Sequence, residues 1–127
     1  MASSLDSALA PSEAARRPII VFDLDGTIYL GDALLPGVAD VVGELRGRGV
    51  PIRFLSNNPT KDPEQYATKL AKLGLPTDVA DVANTVVTTT RWLREFHPDA
   101  VVFPIAEEPL KRALAAAGIG TITVIDD

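Results

Sequence analysis

The sequence predicts an α/β fold built on a mainly parallel sheet. Three observations carry that prediction. An apolar, β-branched run, Ile19-Ile20-Val21-Phe22, feeds directly into Asp23-Leu24-Asp25-Gly26-Thr27, which reads as a buried strand bounded by a glycine turn. Further short apolar runs recur at Ile52–Leu55, Val101–Ile105 and Thr121–Ile125. Between them lie stripes with helical spacing, so the order is β-α-β-α-α-β-α-β.

The elements follow in order. After the first strand, Ile28-Tyr29-Leu30-Gly31-Asp32 and Ala33-Leu34-Leu35-Pro36-Gly37 read as a loop or small flap. Val38, Val41, Val42 and Leu45 recur at i, i+3, i+4, i+7, the stripe of an amphipathic helix that Gly47 and Gly49 stop. The second strand, Ile52–Leu55, ends at Ser56-Asn57-Asn58. Asp62-Pro63-Glu64-Gln65 supplies an N-cap, Pro at the first helical position and Gln at the third, a capping-box variant. Tyr66, Leu70 and Leu73 form the stripe of that helix and Gly74 closes it. A third helix is expected from about Val82 to Phe96, against the low helix propensity of four threonines, with Trp92 and Phe96 in the core and His97-Pro98 ending it. His97, the sole histidine, is expected at the surface. Val101 to Ile105 reads as a strand in which Pro104 marks an edge or an early end. Glu107 and Glu108 open a fourth helix, where they suit the dipole, with Leu110, Ala113, Leu114 and Ala117 inward and Gly118 at its end.

Composition narrows the functional classes. The 127 residues suffice for one modest domain, and 46% are hydrophobic, which argues against wholesale disorder. The net charge is −5 and no Lys/Arg run exceeds two, so the basic footprint of a nucleic-acid binder is missing and Arg16-Arg17 reads as a solvated pair. There is no cysteine, hence no disulfide or thiolate zinc site, in keeping with a reducing cytoplasm. No apolar run reaches the length of a membrane span. Residues 1–17, rich in Ala and Ser, carry Asp6 and Glu13 and no apolar core, so they read as a disordered tail rather than a secretory signal.

The chemistry lies at the end of the first strand. Strand residues two apart point to one side, so Asp23 and Asp25 leave the C-terminal edge of the strand together, at the edge where open α/β sheets place their ligands. Two like charges in a partly dry site are costly. They imply a bound cation, or a pair divided into nucleophile and acid.

The strings VFDLDGTIYLGD and FLSNNPTKD resemble the haloacid dehalogenase superfamily, and within it the phosphatase branch of the nitrophenylphosphatases, phosphoglycolate phosphatases and NagD-type nucleotide phosphatases. Asp23 to Thr27 match its first motif, DxDGT, and Ser56 its second, a strand ending in Ser or Thr. The resemblance implies a three-layer, Rossmann-like core with a parallel sheet, here incomplete, plus the start of an α/β cap. Residues 1–17 would be the tail, 18–87 the N-terminal half of the core and 88–127 part of the cap. It also implies roles. Asp23 is the nucleophile that forms an aspartyl-phosphate, and Asp25 is the general acid and base. Asp23 and the Asp25 carbonyl hold Mg²⁺, which keeps Asp23 ionised beside Asp25. Gly26 and Thr27, in a turn that aims N–H groups at the phosphoryl, and the Ser56 hydroxyl and Asn57 N–H bind phosphate oxygens. Tyr29, Leu30 and Asp32 match a flap at the substrate entrance, and Lys61 is a further candidate for touching phosphate.

The same branch uses a Lys and a second acidic motif, GDxxxxD, after the cap, and neither is present in the 127 residues. Lys111 with Asp126-Asp127 is a poor substitute, because Lys111 sits in a predicted helix and only fifteen positions before Asp126. The expectation is a shortened chain with weak Mg²⁺ affinity and little turnover. The implied function is Mg²⁺-dependent phosphate-monoester hydrolysis in the cytoplasm on a small phosphorylated metabolite such as a sugar phosphate, a nucleotide or a phosphoglycolate-like acid. A homo-oligomer is compatible with it, and no nucleic acid or membrane is expected as partner. The alternative is a non-catalytic phosphate-binding or interaction protein on the same core. A two-component receiver domain fits less well, since its acidic residues end different strands.

Overall fold

The computed structural model describes residues 18–123. The tail 1–17 and the end of the last expected strand lie outside the described residues. The chain divides into two compact units, with the division along the sequence between Phe54 and Leu55.

In the first unit, β1 (Ile20–Asp23) is followed by a small hairpin, β2 (Tyr29–Leu30) antiparallel to β3 (Ala33–Leu34), where only a loop or flap is expected. Helix α1 (Val38–Gly47) buries Val42 and Leu45 and leaves Val41 exposed, so the inward stripe is narrower than the sequence spacing predicts. Gly47 remains helical. The stop is Gly49, whose φ of +72° is the left-handed geometry that glycine adopts without a Cβ penalty. Strand β4 (Ile52–Ser56) alternates strictly, with Ile52, Phe54 and Ser56 buried and Arg53 and Leu55 exposed. Phe22 stacks on Phe54 at a centroid distance of 6.1 Å. β1 alternates too, and this departs from the fully buried strand expected of its apolar run: Ile19 and Val21 are exposed while Ile20 and Phe22 are half-buried. A run of β-branched residues records strand propensity on both faces, whereas burial depends on what covers each face.

The second unit carries α2 (Pro63–Lys72), a 3₁₀ turn (Val79–Asp81), β5 (Val82–Asn84), α3 (Thr85–Phe96), β6 (Val101–Val102), α4 (Glu108–Ala116) and β7 (Gly120–Thr121). The sheet order is β1-β4-β5, and β6 pairs in parallel with β7. Fold class and sheet type thus agree with the sequence. The α2 capping box is present: Asp62 Oδ1 accepts from the Gln65 N–H and Gln65 Oε1 from the Asp62 N–H, both at 2.9 Å.

Three expectations need correction. Val82–Asn84 is a strand, because the Asn84 side chain caps α3 by accepting from the Val87 N–H and so fixes the helix start at Thr85. Trp92 and Phe96 are 52% and 60% exposed. The inward face of α3 follows Val86, Thr90 and Leu93, so the two aromatic rings lie beside it and pack on each other, with Trp92 also against His97 at 4.6 Å. The strand expected over Val101–Ile105 is shortened to Val101–Val102, an early end of the kind that Pro104, with no N–H to continue a ladder, signals. The threonines of α3 are accommodated because Thr88 and Thr90 donate back to the Asn84 and Val86 carbonyls. Among the described residues no helix is long and apolar enough to cross a membrane.

Candidate active site

The end of β1 is a tight turn closed by main-chain bonds. The Leu24 carbonyl accepts from Thr27 N–H at 3.1 Å, Ile28 N–H at 2.9 Å and Tyr29 N–H at 3.4 Å, and Gly26 N–H donates to the Tyr29 carbonyl at 2.8 Å. Leu24, Ile28 and Tyr29 are each no more than 1% exposed and anchor the turn from inside. Gly26 takes φ +79°, a conformation that L side chains rarely adopt, and apart from its chain neighbours no heavy atom lies within 4 Å of where a Cβ would stand. Backbone geometry, rather than space, therefore calls for glycine there.

The outward residues of this turn are the sequence-predicted ones. Asp23, Asp25, Gly26 and Thr27 are all exposed. Leu24, between the two acids, is fully buried, so the alternation places both aspartates on the solvent side of one anchored residue. They are open to water rather than in a partly dry site. The turn also uses the Gly26 and Thr27 N–H groups internally. These N–H groups therefore close the loop instead of pointing outward, because a turn this short satisfies its own donors.

A hard cation such as Mg²⁺ takes oxygen ligands, one or two carboxylates, and keeps several waters. The Asp25 carbonyl takes no part in the bonds that close the turn, which run through Leu24, Gly26 and Tyr29, and the Asp23 carboxylate is exposed beside it. These two oxygens suit a largely hydrated Mg²⁺. Among the described residues, no group of three or more His, Cys, Asp or Glu assembles a fuller shell.

In the second unit, Ser56 is 4% exposed at the end of β4, and its Oγ accepts from Asn58 N–H at 3.1 Å and lies 3.2 Å from the Tyr66 hydroxyl. Asn57 is exposed. Asn58 Oδ1 accepts from both the N–H and the hydroxyl of Thr60, at 3.0 and 2.7 Å, which folds the Asn-Pro-Thr segment on itself. The Lys61 ammonium sits 5.9 Å from the centre of the Tyr66 ring, a cation–π position. Lys111 lies within α4 and pairs with Glu108 at 3.5 Å, while Asp126 and Asp127 fall outside the described residues.

Sequence reasoning missed the supports of this loop. Tyr66 OH donates to the Asn58 carbonyl at 3.3 Å, and Asn84, fully buried, donates from Nδ2 to the carbonyls of Asn58 and Lys61 at 3.2 and 2.6 Å. Tyr66 reads as plain core on a helix stripe. The Asn84-Thr85 pair does carry an N-cap signal, which helical spacing drawn through Val82 conceals.

The structure is thus an α/β chain with a parallel sheet, whose first strand ends in two exposed carboxylates just before a glycine turn. The chain belongs to the haloacid dehalogenase-like hydrolases, whose family profile matches residues 20–120. It is 32% identical over 99 residues to an acid sugar phosphatase of Staphylococcus saprophyticus, covering 78% of this chain and 38% of that protein. Among solved structures it resembles the 4-nitrophenylphosphatase of Thermotoga maritima, with 27% identity, a TM-score of 0.75 and coverage of 85% of this chain and 40% of that one. It also resembles the glycerol phosphate phosphatase of Mycobacterium tuberculosis in complex with magnesium, with 25% identity, a TM-score of 0.71 and coverage of 82% and 31%. The chain thus spans about two fifths of the length of the sugar phosphatase it matches.

Proposed function

We propose that the protein serves Mg²⁺-dependent hydrolysis of phosphate monoesters through an aspartyl-phosphate. The observation that carries this reading is the Asp23–Asp25 pair, exposed at the end of β1 on either side of a buried Leu24. Support comes from relatives that bear the names of a sugar phosphatase, a nitrophenylphosphatase and a glycerol phosphate phosphatase. The substrate class is accordingly a small phosphorylated metabolite. Residues 18–87 are read as the first half of the hydrolase core and 88–127 as the beginning of a cap.

In the proposed mechanism a carboxylate oxygen of Asp23 attacks phosphorus, and the bond to the ester oxygen breaks as Asp25 delivers its proton to the leaving alcohol. Asp25, now ionised, takes a proton from water, whose oxygen attacks the phosphorus of the aspartyl-phosphate. Inorganic phosphate leaves and Asp23 is restored as a carboxylate. Asp23 and the Asp25 carbonyl would hold Mg²⁺, which would supply positive charge that lowers repulsion between the nucleophile and the phosphoryl group. Asn57, through its N–H, and the exposed Thr27 hydroxyl are assigned to phosphoryl oxygens. Gly26 contributes the shape of the turn. Ser56, buried against Tyr66 and Asn58, orders the Asn57–Asn58 backbone as well as offering its hydroxyl.

A Mg²⁺-dependent assay with 4-nitrophenyl phosphate tests the reading, with Asp23→Asn as the control. Release of 4-nitrophenol that stops in the variant and on chelation supports it, and turnover indifferent to Asp23→Asn refutes it. The absence of a third acidic ligand among the described residues keeps one other reading in play, non-catalytic phosphate binding. Phosphate binding that depends on Asp23 without any turnover would favour it.

A further inference from the structure

We propose that Asn84 is a positioning residue: its carboxamide clamps the loop 57–61 in the shape that presents Asn57 to a phosphoryl oxygen. This rests on the phosphatase reading for the purpose of the loop, though not for the clamp itself. Asn84 is one of two buried polar residues among those described, the other being Ser56 in the same network. Its two ends act on different elements. Oδ1 accepts from the Val87 N–H at 3.4 Å and caps α3, while Nδ2 donates to the Asn58 and Lys61 carbonyls at 3.2 and 2.6 Å. Loop carbonyls twenty-six and twenty-three residues away in sequence are thereby tied to the start of a helix.

A helix cap alone does not require this residue. Ser, Asp and Asn cap comparably well. Only a carboxamide offers an acceptor to the helix and two N–H donors to the loop from one side chain. Buried without those partners, its donors would each carry a desolvation penalty. Tyr66 completes the arrangement from α2, with its hydroxyl at 3.3 Å from the same Asn58 carbonyl and 3.2 Å from Ser56 Oγ. The Asn58 carbonyl thus accepts from two side chains, and the residues on either side of it are fixed: Ser56 by its side chain and Thr60 by the Asn58 side chain. Asn57 lies within this braced segment and is itself exposed.

The cap and clamp roles can be separated by substitution. Asn84→Ser and Asn84→Asp both keep an oxygen for the Val87 N–H and remove both Nδ2 donors, the first without adding charge. Amide hydrogen exchange on the full chain would follow Asn58 and Thr60 as reporters of the loop and Val87 as reporter of the cap. In parallel, inorganic phosphate with Mg²⁺ would be titrated by NMR. The expected result in both variants is exchange roughly tenfold faster at Asn58 and Thr60 with Val87 unchanged, and phosphate affinity weaker by a similar factor. Loop protection equal to wild type in Asn84→Ser overturns the clamp. So does loss of loop and Val87 protection together in both variants, since the residue would then act only by starting α3. A loop that loosens with phosphate affinity unchanged overturns the positioning role. A wild-type chain that binds no phosphate refutes the proposed function and with it the positioning role, while the exchange results still decide whether Asn84 clamps the loop.

Discussion

The turn after β1 is closed by main-chain hydrogen bonds, whereas the loop after β4 is held by buried side chains. In the first, Leu24 collects three N–H groups on one carbonyl and leaves Asp23 and Asp25 facing water. In the second, Ser56, Tyr66 and Asn84 hold the Asn58 backbone. The contrast matches what each segment is proposed to do. A nucleophile and an acid need their carboxylates free, so the fold secures them through the backbone and through the one buried residue between them. The segment after β4 is proposed to act chiefly through the Asn57 backbone N–H, so its backbone is held by buried side chains, two of them, Tyr66 and Asn84, brought from other elements.

Five measurements break or sharpen this contrast. The largest effect is expected at Asp23→Asn, where whatever hydrolysis of an aryl phosphate the chain shows should be lost with an unchanged urea midpoint, because an exposed carboxylate contributes chemistry rather than packing. Leu24→Ala removes the fully buried anchor between the acids and should cost about 2–5 kcal/mol in urea denaturation. Gly26→Ala forces φ +79° on an L residue with no steric neighbour at the new methyl, so about 1–2 kcal/mol is expected by the same measurement. Tyr66→Phe deletes one hydroxyl from the β4 loop, for a loss of about 0.5–1.5 kcal/mol and faster amide exchange confined to residues 56–60. Trp92→Ser belongs to neither region and sets the baseline: half-exposed, it should shift stability by no more than about 0.5 kcal/mol in either direction. A Trp92 effect larger than that of Tyr66→Phe would overturn the placement of the aromatic pair on the outside of α3.

Much of the fold was legible because local signals coincided with tertiary need. Asp62, Pro63 and Gln65 spell the start of α2, and the structure forms both reciprocal bonds. The stripe of Tyr66 and Leu70 is buried as its spacing requires, and Leu114 is the buried centre of α4. The misses share a cause. Val82–Asn84 is too short to show a strand period, and its apolar residues extend the helical pattern that follows. Trp92 and Phe96 are spaced as a core pair, but hydrophobicity marks a face without saying whether anything covers it. At the site, the acids could be read from D-x-D-G-T, whereas the roles of Asn84 and Tyr66 could not, since their partners lie 26 and 8 residues away along the chain.

By itself the sequence determined the α/β class, the capping box that starts α2, the family, and the two aspartates at the end of the first strand. Those depend on propensity, on periodicity and on residues adjacent in the chain. The tertiary structure alone decided that β1 has an open face and that its glycine turn consumes its own N–H groups. It also decided that a buried asparagine grips the loop after β4. Burial and long-range hydrogen bonds are set by which surfaces meet, and a single residue's chemistry does not specify its distant partner.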